Sequence, residues 1–447
     1  MRPIADIARD LENGKTTSAA LTEEALARIA DPAGEGSKAF MVVHAEAAHA
    51  AAETSDRLRK LGIVPSPLAG VPVSVKDLFD ERGQVTRSGS PALDDAPPAR
   101  EDAPIVARLR AAGAVIVGRT NQVQFAFSGV GWNPHFGTPA APYERKTNRR
   151  IPGGSSSGAA VSVTDAMCAV AIGSDTGGSV RIPSAFCGLA GFKPTASRVP
   201  TAGALPLSTS LDSIGPLAPT LACCALTDAI MAGEAPDVPP AHPVAGLRLG
   251  LPRNLVREMI EPVVANAFDA ALQKLSKAGA TIVEFDFPEL DEILKVNSKG
   301  GFAASEAFAF HRATIAAKGD RMDQRVKTRI ERGGQMTAAD YIDVMLARVD
   351  INRRADARTS VFDAVAMPTC VLLPPPIANF DDDQYFTRTN MLILRNTSLG
   401  NFLDRCSLSV PATRAGEPPV GFCLVGARHD DKRLLAIGQG VEAVLAA

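Results

Sequence analysis

Apolar positions along this chain fall into two alternating kinds of run. Short, nearly continuous apolar stretches stand at Val71–Val75, Ala114–Val117, Cys168–Ile172, Leu247–Leu251, Thr281–Phe285, Val361–Met367 and Gly421–Val425. Runs of this length are too short for helices and predict strands buried on both faces. Between them lie longer stretches with apolar residues at helical spacing, at Ala103–Ala112, Val263–Ala278, Thr337–Ala355 and Asp431–Val444, and an Ala-rich segment at 45–53 reads as one more helix. Thr22-Glu23-Glu24 and Asp102-Ala103-Pro104 carry the marks of helix starts, acidic residues in the first turn and an early proline. The alternation predicts an α/β protein of three layers, with helices covering a mostly buried sheet.

At 447 residues the chain is expected to form one large sheet-centred domain, 1–447. Two Pro-rich stretches, Glu234–Pro243 and Pro374–Pro376, read as surface connections. The segment from about 290 to 360 is helical and charged and lacks Gly/Ser turns, as expected of a region that shapes access for a substrate. No repeat or low-complexity tract stands out.

Lys and Arg total 47 against 49 Asp and Glu, a formal charge of −2. No basic field favours nucleic acid or an anionic membrane, so the expected partner is a small molecule. No apolar run reaches the roughly 18 to 20 residues of a membrane span, the closest being interrupted by Asp165. The charged N-terminus lacks the apolar core of a signal peptide. Seven cysteines (168, 187, 223, 224, 370, 406, 423) sit mostly among apolar neighbours, with no CxxC pair and no metal-ligand spacing to histidine. They read as buried thiols of a protein in a reducing cytoplasm.

The chemistry concentrates in Gly153–Ser184, where two Gly/Ser turns flank an apolar segment. Turns of this kind bring backbone N–H groups close to a ligand and leave serine hydroxyls exposed. In the second, Gly173-Ser174-Asp175-Thr176-Gly177-Gly178-Ser179, consecutive N–H groups can converge on one oxygen, which makes the adjacent Ser179 the best nucleophile candidate. Of the six histidines, His44, His49, His242, His311 and His429 lack an evident motif, so a Ser-His-Asp triad has weak support. A lysine base is the alternative. Burial lowers lysine's pKa by disfavouring the cation, and Lys76, ending an apolar strand, fits.

These residues resemble the amidase signature family. Its Gly-Gly-Ser-Ser turn and the following G-S-D-x-G-G-S-V-R-x-P segment stand here at Gly153–Gly158 and Gly173–Pro183. The resemblance extends to Val75-Lys76-Asp77, Gly118-Arg119-Thr120-Asn121, Asn133-Pro134-His135, Gly137-Thr138-Pro139, Cys187-Gly188-Leu189, Phe192-Lys193-Pro194-Thr195, Pro419-Val420-Gly421 and Leu424-Val425-Gly426. It covers nearly the whole chain, with a core at about 65–225, and is weakest across 230–360. It implies a three-layer α/β/α fold around a mixed, twisted sheet, with a variable, mainly helical substrate-shaping region at about 290–400. It also implies a Ser-cis-Ser-Lys triad with Ser179 as nucleophile, Ser155 as bridging serine after a cis Gly154-Ser155 bond, and Lys76 as base. The N–H groups of Thr176, Gly177, Gly178 and Ser179 are then the oxyanion donors, with neither cofactor nor metal.

Other readings compete at single positions. Asp175-Thr176-Gly177 resembles an aspartic-protease triplet, but no second triplet appears, so Asp175 is expected to fix the loop. Arg181 reads equally as a reader of a substrate carboxylate or as an anchor of the turn. Cys187, His135 and Lys193 read as structural. Gln124 stands where many members of the family have Glu. Gly129-Val130-Gly131-Trp132 belongs to a loop that borders the substrate pocket in relatives, and the one Trp, near Phe125 and Phe127, suggests an apolar or aryl-tolerant pocket. The function expected is hydrolysis of a small linear amide through an acyl-serine, with carbamate (urethane) or ester hydrolysis as side activities, by a monomer or homodimer. The alternatives are a glutamine amidotransferase A-type subunit working in a complex, an allophanate or carboxybiuret hydrolase, and an inactive scaffold subunit.

Overall fold

A computed structural model describes all residues 1–447. Eleven strands form one sheet: β1 Phe40–Val43, β2 Pro72–Lys76, β3 Val115–Thr120, β4 Val170–Asp175, β5 Ala190–Lys193, β6 Ser213–Ala218, β7 Arg248–Pro252, β8 Thr281–Phe285, β9 Ala364–Pro368, β10 Ser407–Pro411 and β11 Gly421–Val425. Their order across the sheet is β1-β3-β2-β4-β6-β5-β10-β11-β9-β7-β8. The sheet is mixed. β2 runs parallel to β3 and β4, and β7 to β8 and β9, whereas the central pairs from β4–β6 to β9–β11 are antiparallel.

The helices of the first half are α1 Ile4–Glu12, α2 Ser18–Ala30, α3 Gly36–Ala39, α4 Ala45–Lys60, α5 Pro104–Ala111, α6 Ser157–Thr164, α7 Arg181–Cys187 and α8 Leu221–Ala232. Those of the second half are α9 Pro262–Lys277, α10 Glu289–Val296, α11 Gly301–Lys318, α12 Gln324–Gly333, α13 Ala338–Thr359, α14 Asp383–Phe402 and α15 Asp431–Ala446.

Successive strand residues point to opposite faces, and here both faces are apolar and covered. In β4, Val170 and Ile172 join the largest core cluster with α5, α8, α9 and α15, while Ala171 joins a second with α2, α4 and α6. In β11, Phe422 and Leu424 join the first cluster, and Cys423 and Val425 pack instead with α10, α13 and α14. This two-sided burial produces the continuous apolar runs and makes the architecture three-layered.

The expected strands and helices are present, with boundary shifts of a few residues. Helix α2 starts at Ser18, ahead of Thr22, because the Thr17 side chain caps it by accepting from Ala20 N–H. Pro374–Pro376 is not a surface connection. Pro374 and Pro375 are buried, Pro375 C=O accepts from Ile151 N–H (2.9 Å), and Arg150 donates to Pro374 C=O. Strands β1, β5, β6 and β10 lacked a pattern strong enough to announce them. All seven cysteines are buried and unbridged.

Candidate active site

The two Gly/Ser turns meet where the parallel neighbours β2 and β4, interior strands of the sheet, end side by side. Lys76 is the last residue of β2, and Ser174-Asp175 close β4. Lys76 is fully buried, and its Nζ donates to Ser155 Oγ (2.7 Å) and Ser174 Oγ (2.8 Å). Burial pushes its pKa down to about 7, against the opposing pull of Asp175 and Asp212. Ser174 lies within the second turn, but its motif gave it no role as a partner of Lys76.

Ser155 follows a cis Gly154-Ser155 peptide bond. Ser156 N–H donates to Ser179 C=O (3.3 Å), which lays the first turn against the second. Ser179 Oγ takes no hydrogen bond from the protein and is not linked to Ser155 Oγ in this state. Catalytic hydrogen bonds are often formed only with substrate in place.

The second turn is organised around Asp175. Its carboxylate accepts from Gly178 N–H (2.8 Å), Val180 N–H (3.1 Å), Arg181 Nε (3.0 Å), Arg181 Nη2 (2.9 Å) and Asn401 Nδ2 (2.9 Å). Burial alone would raise its pKa, but Arg181 more than offsets this and holds it well below the usual carboxylate range. Arg181 is itself fully buried and gives Nε and Nη2 to Asp175 and Nη2 also to Asn401, which anchors the turn, while its Nη1 has no partner. Gly178 N–H is turned to Asp175 and so leaves the expected oxyanion set. The N–H groups of Thr176, Gly177 and Ser179 donate to no protein acceptor and remain free to converge on a bound oxygen.

The loop ahead of the first turn is pinned to it. Val123 N–H donates to Ser155 C=O (3.1 Å) and Gly154 N–H to Gly129 C=O (2.8 Å). Gly131 has φ +90°, and a Cβ there would lie 2.5 Å from Gly153 C=O, so only glycine permits this approach. Ser128 Oγ and Gly129 N–H both donate to Asn390 Oδ1 (2.9 Å each), and Val130 is buried nearby. Leu394 of α14 fits between Gly129 and Gly177. Trp132 is half-buried against the cluster of Val130, Ile151 and Phe380, with the Arg325 guanidinium 5.9 Å from its ring.

Gln124 is buried and accepts from Asp323 N–H (3.0 Å), tying the loop to the start of α12 where a charge was missing. His311 of α11 stacks on Phe125 at 4.1 Å, and burial pushes its imidazole down to about 4. His135 is exposed, while Lys193 and Cys187 are buried.

Sequence spacing missed three further residues. Asp212, just before β6, accepts from the Thr176 hydroxyl and from Leu207 and Ser208 N–H (3.0 and 3.1 Å). With Ser174, Thr176, Ala126 and Leu207 it lines a cavity of about 410 Å³. Glu306 of α11 grips residues 208–210, and Arg329 of α12 donates to Phe127 C=O (2.7 Å) with its guanidinium 4.6 Å from the Phe127 ring. None stands in a recognisable motif, and each acts across more than 30 residues of sequence.

Residues 20–435 match the family described as Amidase. The chain is similar to 2-amino-5-chloromuconic acid deaminase of Comamonas testosteroni, 36% identical over 407 residues, covering 89% of this chain and 86% of the relative. It is 32% identical to the A-type subunit of glutamyl-tRNA(Gln) amidotransferase from a Roseiflexus species over 480 residues, 99% of this chain and 96% of the relative. A crystal structure of an amidase superposes with a TM-score of 0.89 at 31% identity, covering 99% of both chains. With a match this long and a fold this close, the chain belongs to the amidase signature family and is a hydrolase of C–N bonds.

Proposed function

We propose that this enzyme cleaves the C–N bond of a small substrate bearing a carboxylate, by acyl transfer to Ser179. The observation that carries the acyl-transfer reading is the contact between buried Lys76 Nζ and Ser155 Oγ at 2.7 Å. A lysine with a pKa near 7 is substantially neutral at neutral pH and can serve as a base. Neutral Lys76 takes the proton of Ser155 Oγ, which takes that of Ser179 Oγ as the latter bonds to the substrate carbon. The oxygen that gains charge lies toward the free N–H groups of Thr176, Gly177 and Ser179; losing one such donor typically costs roughly 10²- to 10³-fold in kcat. Collapse breaks the C–N bond, and the leaving nitrogen receives its proton from Lys76 through Ser155. Water, deprotonated by the same relay, then attacks the acyl carbon and releases Ser179.

Arg329 supports the substrate class. Its guanidinium lies within the α11–α12 wall with no carboxylate in salt-bridge range, and its single protein acceptor is Phe127 C=O. Burial pushes its pKa down only to about 10, so it stays cationic. A half-buried cation without a carboxylate partner, beside the pocket loop, suits an anionic group of the substrate. The acid named in the substrate of the Comamonas relative agrees with this reading.

The test is a substrate panel with the isolated chain. Fluorophosphonate should label Ser179 and not Ser179→Ala. Arg329→Gln should raise KM about 10- to 100-fold for an amide carrying a free carboxylate, the worth of one charge-assisted hydrogen bond, and leave its methyl ester little changed. Equal effects on acid and ester would remove Arg329 from substrate recognition. An isolated chain that turns over only with added partner subunits would favour the amidotransferase reading instead.

A further inference from the structure

Resting on that reading of the relay, we propose that Asp212 is a positioning residue for the same reaction. It clamps Thr176 at the oxyanion turn, and its charge sets the pH range in which Lys76 accepts a proton.

The placement follows from the sheet. Strands β4 and β6 are antiparallel with Asp175 opposite Ser213, so Thr176 and Asp212, each one residue beyond that pair, stand beside each other just past the ends of these strands. The Thr176 hydroxyl donates to one carboxylate oxygen, and the N–H groups of Leu207 and Ser208 hold the other. This fixes the residue whose own N–H is free toward the cavity. Removing the clamp would leave Thr176 held by the backbone alone.

The groups that face Lys76 differ in how far their charge is compensated. From β4 comes Asp175, already neutralised by Arg181 at 2.9 Å and further offset by buried Lys193 of β5. Next to Lys76 in the chain stands Asp77, paired with Arg119 at 2.9 Å. Ser155 and Ser174 are neutral. Asp212 is different, because every donor to it is neutral and no basic side chain lies within salt-bridge range. Glu306 of α11, the other charge facing Asp212, is an anion too and makes its ionisation harder. Asp212 is therefore the uncompensated carboxylate felt by Lys76, and it works against the burial that would otherwise drive the lysine pKa lower still.

The experiment is the pH dependence of Ser179 labelling by a fluorophosphonate, which needs no knowledge of the natural substrate. The wild-type rate should fall on the acid side as Lys76 gains its proton. In Asp212→Asn that limb should move to lower pH by about one unit, because the anion favouring protonated lysine is gone. Asp212→Glu, which keeps the charge, should return the limb toward its wild-type position. Thr176→Val, which loses the clamp and with it one donor that favours ionised Asp212, should slow labelling and move the limb less than Asp212→Asn does. If Asp212→Asn does not fold, Asp212→Ser reads the same limb. An unmoved limb in a folded neutral variant overturns the inference, provided Lys76→Ala is unreactive. A reactive Lys76→Ala overturns the relay itself.

Discussion

At the scale of single residues, Lys76 shows how a site can conflict with its own fold. Its hydrogen bonds and complete burial suit a neutral amine, whereas in the unfolded chain the same group has a pKa near the ordinary 10.5. Between pH 7 and 10.5 the unfolded state therefore binds the proton more tightly than the folded one, so this group makes the protein more stable as pH rises across that window. Below about pH 7 the penalty is fully present. Lys76→Met removes it at nearly constant volume, and should raise the melting temperature at about pH 7 by a few degrees while abolishing turnover. The gain should shrink as the measurement moves from about pH 7 toward about pH 10. A melting temperature that falls equally at both pH values would contradict this account. The motif residues Lys76, Ser155 and Ser179 were legible because Gly/Ser turns and an apolar strand end are local patterns. Asp212 was not, because a lone aspartate signals nothing until β6 brings it beside Thr176, and Ser174, though it stands in the second turn, shows its contact with Lys76 only once β2 and β4 lie side by side.

At the scale of elements, the second turn holds its shape because α14 is pressed against it. Thr397 Oγ1 donates to Gly177 C=O (2.7 Å), and Asn401, one turn further along, donates to both the backbone and the carboxylate of Asp175. Gly178 has φ +131°, and a Cβ there would stand 2.1 Å from Thr397 Oγ1. Gly178→Ala must therefore push α14 away from the turn and also adopt a backbone conformation that L side chains avoid. It should cost roughly 2 kcal/mol or more of stability and at least about 10²-fold in kcat. Adding Thr397→Ala, which removes the Oγ1 that the new Cβ would meet, should recover part of the stability loss but not the strain, a pattern urea denaturation can resolve. The same closeness explains why two of the strands, β5 and β6, escaped notice. β5, Ala-Gly-Phe-Lys, and β6, Ser-Ile-Gly-Pro-Leu-Ala, are rich in small residues, and a Cβ on Gly215 would lie 1.9 Å from Phe192 C=O. Strands built for backbone contact lack the branched apolar residues by which strands are read from sequence.

For the whole molecule, the helical second half has to be coupled to the sheet that carries the reactive groups, and beside α14 the second link is Glu306. From α11 it accepts from Ser208 Oγ (2.6 Å), Ser210 N–H (3.0 Å), Ser210 Oγ (2.5 Å) and the Tyr341 hydroxyl of α13 (2.7 Å). Burial would raise its pKa, yet these hydrogen bonds prevail and keep it below the ordinary carboxylate value. One carboxylate thus joins two cover helices to the loop 205–212, whose far end is Asp212. Glu306→Ala should leave the eleven-stranded sheet intact, because none of its partners lies in a strand. It should free the loop, so that amide hydrogen exchange rises across 205–212 while β9, β10 and β11 keep their protection. With Asp212 and Thr176 less firmly held, kcat/KM should fall about tenfold, equivalent to about 1.4 kcal/mol of transition-state stabilisation. Glu306→Gln keeps one acceptor and should fall between the two. Unchanged exchange in 205–212 with lowered activity would mean that Glu306 acts on the substrate directly rather than through the loop.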